Sequence, residues 1–262
     1  MSEKNREGKR TARERLAVER EKQKAGEKRK RVLVAGAAVV GVLGLAAVIG
    51  VVAANAGKDD GGEASGPVVV PSGAQGKDGL AIPVGEDGAP STLTVWEDFR
   101  CPACKGFEQT YRSTVRELTT AGRLKVEYHL ATIIDGNMGG TGSRAAANAA
   151  ACAQDAGKFL PYHDVLFDNQ PQEADDAFAD TGRLLDLAGR VDGLDTAAFR
   201  RCVKDGKHDG WVTKSDEAFS KGGFSGTPTV LLNGKNIYQD QTMTPAKLKQ
   251  MVEAAATDAP KG

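Results

Sequence analysis

Cys101 and Cys104 stand three positions apart, with Pro102 and Ala103 between them. Two sulfurs at that spacing can close a small, reversible disulfide and so support thiol–disulfide exchange. After them Phe107, Tyr111, Val115 and Leu118 recur at helical spacing, which predicts a helix from the cysteines to about Ala121-Gly122. Cys101 then occupies a helix N-terminus, where unsatisfied N–H groups and the dipole favour negative charge. Thiols so placed in Cys-X-X-Cys motifs ionise between ~3.5 and ~7.5 rather than near ~8.5. Cys104 lies one turn deeper, suited to closing the disulfide and resolving a mixed intermediate. Pro102 fits an early helical position, where an N–H has no bond to make.

Three neighbours bear on ionisation at the pair. Arg100 could add positive charge beside Cys101, but an exposed Arg contributes little and it reads first as a solvated surface charge. Glu97 or Asp98 could be a partly buried acid accepting a proton from Cys104; each could also be a charged strand end in water. Trp96 and Phe99 read as core and site-wall residues. A second signal comes 122 residues after Cys104: Gly226-Thr227-Pro228-Thr229 stands directly before an apolar stretch.

The elements that must position these residues are legible from pattern. Leu80-Ala81-Ile82 can open a short strand, and Thr92 to Trp96 is β-rich. Leu124, Val126, Tyr128 and Leu130 alternate with polar residues, giving a strand with one better-packed face. Residues 143–222 read as entirely helical. Thr229 to Leu232, the turn Asn233-Gly234, and Asn236 to Tyr238 form a hairpin signal. Thr244 and Pro245 read as the cap and first residue of a last helix, whose apolar face is Leu248, Met251, Val252 and Ala255. The order is β-α-β, a helical block, then β-β-α.

The chain is neutral by count, but residues 1–31 carry 13 Lys/Arg against 6 Asp/Glu, a net +7. Residues 32–56 are 25 positions without a charge, and about 20 apolar residues suffice to span a bilayer. The basic block Lys28 to Arg31 abuts this stretch, so the positive-inside bias keeps 1–31 in the cytoplasm and exports the rest of the chain. A cleaved signal peptide is the competing reading, because Ala54-Asn55-Ala56 fits a cleavage site; the long leader and long apolar run favour an uncleaved anchor. The organisation is thus a basic cytoplasmic tail (1–31), a transmembrane anchor (32–56), a flexible linker (57–78) and one domain (79–262) with a helical insertion at about 134–224. In an exported domain the four cysteines, Cys101, Cys104, Cys152 and Cys202, favour disulfides over zinc or free thiols. Four cysteines allow three connectivities, and the residues alone do not choose among them. Zinc fails on count, since no further Cys or His pair stands at ligand spacing; His129, His163 and His208 read as ordinary structural or surface histidines.

Glu97 to Lys105 resembles the active-site strand–turn–helix of exported DsbA-like thiol–disulfide oxidoreductases, and Gly226 to Val230 resembles that family's cis-proline loop. The likeness spans about residues 78–258. It implies an α/β thioredoxin-like fold (β-α-β then β-β-α) with an all-helical insertion, preceded by one transmembrane helix. It also implies a cis bond before Pro228, with the Thr227 backbone turned toward Cys101 to receive an extended substrate and its hydroxyl near the sulfurs. Cys152 and Cys202 sit where membrane-anchored relatives carry an extra pair, which implies a structural bridge; a second redox pair is the alternative. The implied activity is oxidation of cysteine pairs in exported proteins, with a quinone-linked reoxidase of the DsbB or vitamin K epoxide reductase type as recycling partner. No nucleic acid, organic cofactor or metal is implied. Ala103 departs from the best-known motif, which has a thiolate-stabilising His there, so strong oxidising power does not carry over unqualified. A reductase or isomerase using the same site, or a tethered chaperone with secondary redox activity, remains a rival.

Overall fold

The computed structural model describes residues 67–258. The tail at 1–31, the anchor at 32–56 and the first part of the linker lie outside those residues. Among the described residues, no helix is long and apolar enough to cross a membrane.

Five strands build one sheet: β1 (Ile82–Val84), β2 (Ser91–Glu97), β3 (Leu124–Leu130), β4 (Thr229–Leu232) and β5 (Lys235–Asn236), in spatial order β1-β3-β2-β4-β5. β2 and β3 are parallel; the other neighbours are antiparallel. The parallel pair needs a crossover, and helix α1 (Pro102–Thr120) supplies it. Between β3 and β4 come α2 (Ile133–Met138), α3 (Gly142–Asp155), α4 (Phe159–Asp168), α5 (Thr181–Ala188), α6 (Ala197–Lys204) and α7 (Asp209–Lys221). Helix α8 (Pro245–Asp258) closes the chain. The expected β-α-β, helical block and β-β-α order is therefore present.

β2 alternates buried Ser91, Leu93 and Val95 with half-buried Thr92 and Thr94, and only its end, Trp96 and Glu97, is buried on both faces. Leu93 and Val95 join the main core with Leu124, Val126 and Leu130. By strand alternation Glu97 points the same way, toward the side where Cys104 packs. Trp96 points oppositely and forms a smaller cluster with Ala131 and Phe219. The hairpin turns on Asn233 and Gly234, both at positive φ, as a two-residue β-turn requires. Thr244 Oγ1 accepts from the Lys247 N–H, so it does cap α8.

The structure departs from the sequence pattern at two places. A linker flexible to residue 78 does not hold, because 67–78 lies against the helical block. Asp155 Oδ1 accepts from the Ser72 N–H at 2.8 Å, and His208 Nδ1 donates to Val69 O at 2.7 Å. Gln75 bridges to Ala81, and Trp211 Nε1 donates to Gly79 O. Composition does not register this because the strap is held through its backbone, which any sequence presents. The return strand of the hairpin also differs from the pattern: it pairs at Lys235–Asn236, not over Asn236 to Tyr238.

Cys152 on α3 and Cys202 on α6 are joined by a disulfide, with Cα atoms 5.9 Å apart.

Candidate active site

The dithiol sits where β2 hands over to α1. Asp98 Oδ1 accepts from the Arg100 N–H, and the Cys101 N–H donates to Asp98 O, forming a tight turn. Gln170, just past α4, donates through Nε2 to both Phe99 O and Cys101 O at 2.9 Å, clamping that turn. Cys101 is the N-cap residue of α1, with Pro102 as its first helical residue.

The two thiols are unlike. Cys101 is lowered to about 6, first by its hydrogen bond with Cys104. Burial opposes that shift, while Thr227 and the N–H groups of Ala103 and Cys104 support it. Cys104 is wholly buried and pushed well above the usual thiol range, first by burial and then by Cys101 and Glu97. One sulfur is therefore a thiolate at neutral pH and the other a thiol. An ionised outer sulfur with a protonated inner partner is an arrangement able to exchange disulfides.

The Thr227–Pro228 peptide is cis, and Cys101 Sγ lies 3.3 Å from Thr227 O. The Thr227 hydroxyl is buried without completing a hydrogen bond, though it too favours the thiolate. Beside these groups Phe107, Tyr111, Ile237, Tyr238 and Met243 line a groove of about 330 Å³.

Beneath the pair lies a buried ionisable cluster. Glu97 Oε1 is 2.7 Å from His163 Nε2 on α4, and both residues are fully buried. Burial raises Glu97 well above the carboxylate range and lowers His163 to about 4, so the uncharged form of each is favoured. Burial likewise lifts Asp98 and Glu108 to about 7 each. Ligand atoms of Glu97, Glu108 and His163 lie within 4.8 Å of one another, a spacing that could hold a metal ion. Arg112 faces the same cluster, 3.7 Å from Glu108 and 3.1 Å from Asp164, and supplies the positive charge a cation would bring. Cys152, Cys202 and His208 also converge, but both of those sulfurs are spent in a disulfide.

A sequence profile of the family described as Thioredoxin matches residues 77–254. Disulfide bond formation protein D of Bacillus subtilis (strain 168) is 26% identical over 157 residues, covering 59% of this chain and 68% of that protein. The reduced form of disulfide bond oxidoreductase (DsbG) from Mycobacterium tuberculosis superposes with a TM-score of 0.60 at 29% identity, covering 70% of this chain and 90% of that one. Oxidised DsbA from the same organism gives 0.59 at 29% identity, covering 69% and 94%. The chain belongs to the thioredoxin family, as a DsbA-like thiol–disulfide oxidoreductase.

Within this DsbA-like frame, the structure brings Cys101, Cys104, Thr227, Glu97 and Asp98 together. Arg100 is different. It is 1% exposed, neither solvated nor aimed at Cys101: its guanidinium meets Asp135 at 2.7 Å, Asp176 at 2.8 Å and the carbonyls of Gly139 and Glu173. It ties the cysteine turn to the helical block. Glu97 and Asp98 are both fully buried, so the reading of a strand end in water does not hold. Sequence reasoning missed His163, Glu108 and Gln170. His163 did carry a signal, as a lone His within the apolar stretch Phe159 to Phe167; Gln170 carried none.

Proposed function

We propose that the domain is exported, held at the membrane by residues 32–56, and oxidises cysteine pairs in exported proteins through Cys101 and Cys104. The asymmetry of the two thiols carries this reading. A sulfur ionised near pH 6 is a good leaving group, and its stability as thiolate makes the oxidised form the more reactive one.

A client thiolate attacks Cys101 and displaces Cys104, and the client's second thiol then releases Cys101. Buried Cys104 must leave as a thiol, and Glu97, whose charge acts on Cys104, is the acid that would supply and recover its proton. Thr227 and Pro228 offer backbone for an extended client to lie against, with apolar side chains entering the groove between Phe107 and Tyr238. The two sulfurs suffice for this chemistry without an organic cofactor or metal. A membrane quinone-linked reoxidase of the DsbB or vitamin K epoxide reductase type would restore the disulfide. Export is supported by the basic block ahead of an uncharged stretch of spanning length.

The test is Cys104→Ser in cells. It should accumulate adducts on Cys101 with exported, cysteine-containing proteins, seen on non-reducing gels, and their absence would sink the proposal. Direction is read from the potential of the pair against glutathione: near about −120 mV for an oxidant, near about −270 mV for a reductant.

A further inference from the structure

Cys104, Glu97 and His163 are buried together, so a proton that Cys104 gains or loses needs a carrier to reach water. The His163 ring is packed by Phe99, Tyr128, Phe159 and Phe167, with centroids 4.8 to 5.8 Å away. What does lead outward is a chain of polar atoms. Glu97 Oε2 is buried without a partner on the side of the sheet where Cys104 packs, while Oε1 meets His163 Nε2 at 2.7 Å. On the other side of the ring, His163 Nδ1 is 3.2 Å from Asp164 Oδ1. Asp164 in turn pairs with Arg112 and with Arg116, whose side chain is half exposed.

We infer that His163 is a positioning residue acting through Glu97, and that with Asp164 it carries protons between the Cys104 pocket and solvent. The inference rests on the reading of Glu97 as the proton partner of Cys104. Carboxyl and imidazole each bind a proton on one atom and release one from another, which suits both to a relay. A neutral imidazole is needed for that, and burial keeps His163 neutral.

The other charged groups facing the ring are Glu108, Arg112 and Arg116 from α1 and Asp168 from its own helix; Tyr128 faces it from β3. Asp98 and Cys101 also act on Glu97. The arginines oppose a positive charge on the ring, so a proton arriving at one nitrogen drives the other off.

Atoms and electrons balance at each step. A client thiolate forms a bond to Cys101 Sγ, the Cys101–Cys104 bond breaks, and the electron pair leaves on Cys104. Glu97 gives Cys104 a proton at once, takes one from His163 Nε2, and the ring is refilled at Nδ1 by way of Asp164. The client's second thiolate then closes the client disulfide and releases Cys101 as thiolate. Two electrons reach the dithiol, and of the two protons the client gives up, one is matched on Cys104 and one stays in solvent.

The experiment tracks reduction of the oxidised full-length protein by a synthetic two-cysteine peptide, by stopped flow across pH, in H2O and D2O. His163→Gln and Asp164→Asn should slow the step in which Cys104 leaves by about 10²-fold near neutrality and change its pH profile. The native rate should depend on deuterium fraction along a curve, as for more than one proton in flight. Suppose Glu97→Gln slows the step while both other variants, folded by circular dichroism, keep native rates and pH profile: the relay then falls and the Glu97 reading stands. If Glu97→Gln changes nothing, the Glu97 reading falls first. Should the variants not fold, the native protein decides, because a linear dependence on deuterium fraction overturns the relay.

Discussion

The sulfur of Cys101 lies 3.3 Å from the carbonyl oxygen of Thr227, 126 positions further along the chain. The contact joins the start of α1 to the loop before β4, and it puts the backbone of that loop beside the reactive sulfur. An extended client could pair with that backbone while its own sulfur reaches Cys101.

Absorbance titration of the reduced protein at 240 nm should show one thiolate with a midpoint near 6 and a second only at strongly alkaline pH. Cys104→Ala should raise the first midpoint, because it removes the Cys104 hydrogen bond that is its largest support. A folded pKa below the unfolded value stabilises the reduced form above the ordinary thiol range. That contribution is lost as pH falls through about 6, so the gap in urea midpoint between the native reduced protein and Cys101→Ala should shrink from pH 9 to pH 5.

Arg100→Met should cost about 3–5 kcal/mol in chemical denaturation, because it leaves Asp135 facing the core without its buried cation. The Cys101 titration midpoint should stay in place. A moved midpoint with unchanged stability would show that Arg100 serves the thiolate instead of the scaffold.

Replacing both Cys152 and Cys202 by Ala should lower stability by up to ~4 kcal/mol, from the loop their bridge closes. Alkylation of Cys101 by iodoacetamide should keep its native rate and pH dependence. A changed exchange potential in the folded variant would point instead to a second redox pair.

Asp155→Asn should loosen the strap. Asp155 accepts from the Ser72 N–H and pairs with Lys207 and His208, and despite burial these partners hold it at about 2. The variant should speed amide exchange between residues 69 and 79 and cost about 1–3 kcal/mol. The pairing stabilises the native protein above the ordinary Asp value of about 4 and is lost as pH falls toward 2, so strap protection should fade below about pH 4.

Local chemistry was readable in the one-dimensional order of residues. The start of α1 at the cysteines, the Asn233-Gly234 turn, the Thr244 cap and the alternation in β3 are each dictated by neighbours a few positions apart. Spacing and periodicity record such neighbours directly. The two ends of the redox site were visible too, as Cys101 to Cys104 and Gly226 to Thr229, because each is a short contiguous motif.

What only the tertiary structure decided are the matters that depend on burial. Arg100 is a charge like any other in the sequence; the convergence of Asp135, Asp176 and two carbonyls makes it a strut. Glu97 and His163 are 66 positions apart, and nothing local to either announces that they meet at 2.7 Å. The strap at 67–78 is held through backbone groups common to every residue, so its composition could not reveal its docking. Periodicity reports which side of an element is apolar, whereas the charge state of a side chain is set by its distance from water and by partners brought in from remote parts of the chain.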